Sequence, residues 1–241
     1  MGVVGPRRSP SEGGYARGQE TRLRIIETAI PLFARLGFEN TSTREIAAEA
    51  GVNPPALQYY FDSKEGLYQA CAEHIADLVA GLLDPELERA ERLLQGAAPP
   101  EALIEGYCDI IAVMAELLFC RPEAVNWSPM LAREQAGMGP GIAFPLMRAR
   151  FLDRLNQVCA RLYAAISDRP AEDPETLLRM LAMNGQLKAC HIGRRDMLAC
   201  LGWDEISLEQ GRLIKSVIVD QIRLLLTAEW RSRGGDEAGK G

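Results

Sequence analysis

Apolar residues recur at helical spacing along nearly the whole chain. Leu23, Ile26, Ile30 and Phe33 share one face, and Gly37 supplies a stop. Pro31 lies inside that pattern, where it removes one backbone bond and predicts a kink. Ser42 and Glu45 have the spacing of a capping box and predict a short helix through Ala50. Gly51 makes a turn. Asn53 then caps a second short helix, with Pro54 and Pro55 in its first turn, ending near Tyr60. Asp62 and Glu65 repeat the capping spacing and open a longer helix from Lys64 to about Gly81.

Beyond it, Asp84-Pro85 predicts a new start, and Ala97-Ala98-Pro99-Pro100 ends that helix and opens one running to Cys120. Arg121-Pro122 breaks it, a shorter stretch reaches Ala136, and a glycine-rich loop spans 137–141. Met147, Phe151, Leu155, Val158, Leu162 and Ile166 trace one stripe of a long helix ending at Asp168. Two more helices are predicted at about 174–193 and 207–230, the last capped by Ser207 and Gln210. No segment alternates as a strand does, and no repeat is visible. The predicted fold is all-α, with a three-helix N-terminal unit at 19–66 and a larger helical domain at 67–230. A flexible arm is expected at 1–18 and a loose tail at 231–241.

Composition narrows the class. The 241 residues are 47% hydrophobic and 25% charged, which excludes a disordered chain. The longest apolar run, Ile104 to Cys120, is interrupted by Glu105, Asp109 and Glu116, so no membrane span is expected. No apolar segment follows the charged N-terminus, and a cytoplasmic protein is the expectation. The net charge of −6 argues against nucleic acid until its distribution is read: residues 1–64 hold 8 basic and 7 acidic side chains. The front of the molecule can therefore touch phosphates that the acidic remainder repels. The 6 cysteines are spread among apolar neighbours and read as structural thiols. Cys71, His74, Cys190 and His191 give too few ligands for a zinc site, so no metal or cofactor is expected. No nucleophile stands beside a base, and an enzyme is not expected.

Two short helices joined by a glycine turn, with an amphipathic helix on each side, match a helix-turn-helix. Ile46, Ala47 and Ala50 face a small core that Val52 and Leu57 close. The second helix then turns outward a face without acidic residues: Pro54, Pro55, Ala56, Gln58, Tyr59 and Tyr60. Gln58 can pair with an adenine edge, and Pro55 or Ala56 can meet a thymine methyl. Tyr59, Tyr60 and Lys64 suit phosphates.

At these residues the chain resembles the TetR/AcrR family of bacterial transcriptional regulators. The resemblance runs from about Thr21 to His74 and is most specific in Thr41-Ser42-Thr43-Arg44-Glu45-Ile46-Ala47 and Tyr59-Tyr60-Phe61-x-Ser63-Lys64-Glu65-Gly66-Leu67. It implies an N-terminal DNA-binding unit and a C-terminal unit that binds a small effector and dimerises. Carried over, it places Thr43 and Arg44 against the DNA backbone, Pro54, Pro55, Ala56, Gln58 and Tyr59 in the groove, and Tyr60 and Lys64 on phosphates. Gln58 departs from the aromatic often found at its position, and Pro31 from the usual first helix. Arg133-Glu134 followed by Pro140 or Pro145 resembles the CecR-type subgroup, some of whose members answer to antibiotics or other xenobiotics.

Met114, Phe119, Trp127, Met130, Phe144, Met147, Phe151 and Met183 read mostly as core packing, and a part of them as the candidate wall of an adaptable apolar pocket; Arg133 is a candidate for that pocket or, with Glu134, a surface pair. The last predicted helix carries apolar residues on more than one face, which asks for a partner. Ala182, Gly185 and Ala189 would let helices approach closely, and Ile214, Ile218 and Leu225 would complete a four-helix interface in a homodimer. The expected function is a repressor released from a palindromic double-stranded DNA operator by a small apolar effector. A thiol- or metal-responsive regulator of the same fold is one alternative. A helical binding module with a vestigial DNA-binding end is the other.

Overall fold

The computed structural model describes residues 12–121 and 123–238, the side chains at 12–15, 125 and 234–238 excepted. Among the described residues every regular element is helical. The head comprises α1 (Glu12–Leu36), α2 (Thr43–Glu49) and α3 (Pro54–Phe61). Its core joins Ile25, Ala29, Phe33, Ile46, Ala47 and Leu57, all buried. Gly37 turns the chain at φ +82°, and the Thr41 hydroxyl donates to its carbonyl at 2.6 Å. Ser42 caps α2 and Asn53 caps α3, the Asn53 Oδ1 accepting from the Ala56 amide at 2.9 Å.

The body follows. α4 (Lys64–Gln95) runs out of the head into a bundle with α5 (Pro100–Ala115), α6 (Ala124–Gln135), α7 (Ala143–Met147), α8 (Asp153–Ser167), α9 (Pro174–Ile192), α10 (Arg194–Leu201) and α11 (Leu208–Ala238). Two wider π-helical stretches, Glu116–Cys120 and Arg148–Leu152, continue α5 and join α7 to α8. α11 lies directly on the first of them. A β-carbon on Gly211 would stand 2.1 Å from the Phe119 carbonyl oxygen, so only glycine permits this approach.

Several expectations are corrected. The segment 12–18 is helical, whereas residues 1–11 of the expected arm lie outside the described residues. α4 does not stop near Gly81 or restart at Pro85. The carbonyl that Pro85 leaves without a partner belongs to exposed Gly81, while Leu83, Leu87 and Ala90 carry the buried stripe onward. Its cap is Ser63, whose Oγ accepts from the Gly66 amide at 3.0 Å, and not Asp62. The sequence pattern does not announce α10: its 8 residues bury nothing, so they leave no core-facing stripe to read. α11 continues through 231–238, so most of the expected tail is helix, and residues 239–241 lie outside the described residues.

Candidate nucleic-acid interface

The outward face of α3 forms because the helix is short and proline-opened. Leu57 and Phe61 are its buried anchors, Tyr60 packs partly against the core, and the remaining polar and proline positions turn away. Pro54, Pro55, Gln58 and Tyr59 are exposed, Tyr59 to 82%, whereas Ala56 and Tyr60 are half-buried. Tyr59 and Tyr60 meet edge to face at 5.3 Å. At the entrance to α2, Arg44 is exposed and Thr43 half-buried. The structure thus leaves most of the candidate DNA-contacting residues open to solvent, with two restraints that the sequence did not signal. The Gln58 amide donates back to the Asp62 carbonyl, capping its own helix. The Lys64 ammonium donates to the Glu39 carbonyl at 3.2 Å and lies 4.4 Å from the Phe38 ring centre. Asp62 holds a left-handed φ of 57°, which ends α3 abruptly before the turn into α4.

Two further residues bear on this face. Arg22 of α1 stands 5.3 Å over the Phe61 ring, and a β-carbon at Gly18 would sit 3.8 Å from the Tyr60 hydroxyl. The first half of α1 therefore passes alongside the end of α3. Aperiodic composition around residue 18 hid this in the sequence.

The head is tied to the body through Tyr68, at the start of α4. Its ring meets Phe33 and Phe38 edge-on at 5.1 and 5.2 Å, and its hydroxyl donates to Glu134 Oε2 at 3.0 Å. Glu134 Oε1 accepts the Ala143 amide of α7 at 2.8 Å. Burial, with the carboxylate beside it, raises the Tyr68 pKa and keeps the phenol a donor. Arg133, expected in a pocket, instead reaches the C-terminal end of α1. Its guanidinium donates to the Arg35 carbonyl at 3.5 Å, where a cation suits the helix dipole.

Of the other candidate pocket residues, Phe119, Trp127, Met130, Met147, Phe151 and Met183 are buried in the body, Met114 is half-buried and Phe144 is 42% exposed. None lines either of two clefts, of about 220 and 340 Å³, that run between α4, α5 and α11 past Ala112 and Lys215. The interface candidates also divide. Ala182, Ala189 and Leu225 are exposed and Gly185 is half-buried, but Ile214 and Ile218 point into the chain's own core with Ile222 and Leu226. α11 has an inner and an outer apolar face. The sequence pattern reveals both without saying which is which.

Among the described residues no helix is long and apolar enough to cross a membrane, and no three metal-ligating side chains cluster. Burial raises the thiols of Cys71, Cys120 and Cys190 and pushes Cys108 to about 11 and Cys159 to about 12.

Comparison with known proteins finds relatives for both the N-terminal and the C-terminal part of the chain. Residues 25–71 match the family described as bacterial regulatory proteins, tetR family. Residues 103–229 match the C-terminal domain of the HTH-type transcriptional dual regulator CecR. CecR of Shigella flexneri is 33% identical over 87% of this chain and 93% of its own. Among solved structures, AibR in complex with isovaleryl coenzyme A and operator DNA has a TM-score of 0.58 at 21% identity, covering 83% of this chain and 97% of AibR. The hemolysin II transcriptional regulator HlyIIR has a TM-score of 0.56 at 19% identity, covering 87% of this chain and 98% of its own. A helix-turn-helix head with an open, acid-free reading face, joined to a CecR-type helical body, makes this chain a DNA-binding transcriptional regulator of the TetR family.

Proposed function

We propose that the protein is a cytoplasmic homodimeric repressor, without enzymatic activity, that leaves a palindromic operator when a small apolar effector enters its body. Dimerisation is supported by the outer stripes of α9 and α11. Leu178, Leu181 and Ile192 on the one, and Leu213, Val217 and Leu224 on the other, are exposed apolar side chains. Ala182, Gly185 and Ala189 between them allow close approach to a second copy. Two heads then read half-sites about 34–36 Å apart, or a multiple of that. Arg44 and Tyr60 hold the backbone, and Pro55, Ala56, Gln58 and Tyr59 meet base edges.

The observation that carries the effector's role is the buried carboxylate of Glu134. It holds the Tyr68 hydroxyl and the Ala143 amide together, so α6 and α7 cannot shift around an occupant without moving the start of α4. Trp127, Met130, Met147, Phe151 and Met183 pack the body, and methionines yield to an apolar guest more readily than branched side chains. AibR, of similar fold, was crystallised with a coenzyme A thioester and operator DNA together.

The test begins with a duplex that the protein selects from a random pool. A panel of apolar compounds is then screened for those that raise the melting temperature. A compound that does so should weaken operator binding by about 1–3 kcal/mol. Glu134→Gln should keep the compound's affinity but lose most of that coupling. Tight binding of such compounds with operator affinity untouched would sink the reading.

A further inference from the structure

The body is acidic as a whole, with 19 basic and 26 acidic side chains in residues 65–241. One part of its surface departs from that balance. Two clefts, of about 220 and 340 Å³, adjoin at Ala112 and Lys215, between α4, α5 and α11. Leu82 of α4, Val113 of α5, Leu117 just beyond it and Val219 of α11 give them apolar walls. The buried methionines and aromatics around which an apolar effector is placed above do not line them.

Cations gather where the two clefts meet. Glycine at 211 lets the first turn of α11 lie against the Phe119 carbonyl. That approach brings Arg212 and Lys215 to the end of the π-helical stretch Glu116–Cys120, which Arg121 follows directly. Arg121 lines the first cleft, Arg212 the second and Lys215 both. The groups between them register all three. Glu116 is held below the usual carboxylate range by its bond to Lys215 first, and less by Arg121. Burial raises the Cys120 thiol, and Lys215 and Arg212 pull it back. Lys215 is engaged, donating to Glu116 Oε2 at 2.7 Å. Among the described residues neither Arg121 nor Arg212 is in an ion pair or a side-chain hydrogen bond. The other carboxylates along the clefts have their own cations: Glu86 and Asp109 have Arg89, and Asp220 has Arg223. Two guanidinium groups thus border an apolar cleft with no carboxylate left to answer them.

A guanidinium is a planar fork of donors that fits carboxylate and phosphate oxygens. Apolar walls with a few convergent polar groups are the usual form of a small-molecule site. We propose that the joined clefts bind a small amphipathic anion, its carboxylate or phosphate between Arg121 and Arg212 and its apolar part along Val113, Leu117 and Val219. Such an anion is attracted although the body repels anions overall, because the nearest charges dominate at short range. Arg212, Ser216, Val219 and Arg223 recur at helical spacing on one flank of α11, apart from its outer stripe of Leu213, Val217 and Leu224. The site therefore does not depend on whether a second copy covers that stripe.

The test titrates octanoate, octyl phosphate, octanol and inorganic phosphate into the full chain by calorimetry. Octanoate or octyl phosphate should bind saturably, and the stronger of the two identifies the head group. Octanol and inorganic phosphate, each lacking one half of the interaction, should bind about tenfold more weakly or less. Arg121→Gln combined with Arg212→Gln should cost the anion about tenfold in affinity and leave octanol unchanged. Ala112→Trp, which fills both clefts without touching a charge, should abolish binding of the anion. Both variants are checked for the helical circular-dichroism signal of the full chain. Octanol binding as well as the two anions overturns the proposal, as does the absence of binding by either anion. So does an anion affinity that the paired arginine substitutions or Ala112→Trp leave unchanged, since the anion would then sit elsewhere in the body.

Discussion

In the body, ten cations sit on carboxylates, several of them on neighbouring helices; in the head, among the described residues, none does. Arg154 of α8 holds Asp84 and Glu91 of α4, Arg223 of α11 holds Glu105 of α5, and Arg179 of α9 reaches Glu229 of α11. Such half-exposed pairs contribute little each, about 0–1 kcal/mol. What they do together is neutralise arginines that could otherwise attract DNA, leaving the body's surplus of acid to repel it. In the head no described carboxylate claims Arg17, Arg24 or Arg44. Unpaired cations at the surface leave a positive potential that a polyanion can meet.

The largest effect expected from breaking this arrangement lies on adjacent residues of α11. Ile218 is 4% exposed and Val217 is 46% exposed. Ile218→Arg buries an unpaired charge in the chain's own core, costs about 3–5 kcal/mol and should unfold the body. Val217→Arg should leave the fold intact and separate the two copies, lowering the sedimenting mass toward 26.5 kDa. Operator affinity should fall with it, since a lone head reads one half-site. A folded dimer from Val217→Arg would remove the outer stripe of α11 from the interface.

Much of this is legible in the sequence, and the omissions have physical causes. Helix-turn-helix residues are visible because caps, turn and spared face are local: Ser42, Gly51 and Asn53 act within a few positions of themselves. The Glu134 link cannot be read that way. Tyr68 and Glu134 are 66 positions apart, and a buried carboxylate has the same spelling as an exposed one. Ile218 is misplaced by the pattern for a related reason. Periodicity tells how wide an apolar stripe is, not whether the chain or its copy covers it. Pro85 misleads because a proline's cost depends on whether the orphaned carbonyl meets water.

The next effect is smaller and belongs to the body alone. His191 is buried with Nδ1 3.0 Å from Ser128 Oγ, and burial, with Arg194 nearby, lowers its pKa from 6.5 to about 4. Above pH 6.5 the ring is neutral in folded and unfolded chains alike, and its contribution is complete. As pH falls below 6.5 the unfolded chain takes the proton first, so stability drops until the folded value is reached. The loss should approach ~3 kcal/mol, at 1.36 kcal/mol per unit. Glu91, Glu105 and Glu116, whose pKa values lie below 4.5 through bonds to Arg154, Arg223 and Lys215, add their losses only at lower pH. Urea denaturation of His191→Gln should therefore show a flatter profile between pH 6.5 and 4.5 than the unaltered chain; parallel profiles would exclude the histidine as the cause.

Smaller again are two changes on the head. Gln58 must release the Asp62 carbonyl before it can pair with a base, which offsets part of what the base contact contributes. Gln58→Ala should cost about 1 kcal/mol of base discrimination, at the low end for a bidentate pair. Lys64→Ala should lower the salt slope by about 1 without altering base preference, if its two spare donors reach a phosphate. A flat salt response would assign Lys64 wholly to holding the turn at Glu39. Competition binding with single-base-pair variants of the selected duplex separates the two roles.

The smallest expected effect is none at all. Among the cysteines, Cys71, Cys108, Cys120 and Cys159 are buried and Cys190 is half-buried, with thiols held protonated by that burial. The thiolate is the species that peroxide attacks, so these five react slowly at neutral pH. Cys200 is exposed, but it lies on α10, which buries nothing and packs on α9 in the body rather than on the head. Oxidation there adds charge to a surface already acidic and leaves α3, Arg44 and the Tyr68–Glu134 link where they are. Mild peroxide should modify Cys200 first, as mass spectrometry of the intact chain would register, and operator affinity in a gel shift should stay constant. Loss of binding reversed by dithiothreitol would make a thiol in the body a signal to the head, and would replace the apolar effector with an oxidant as the regulator's input.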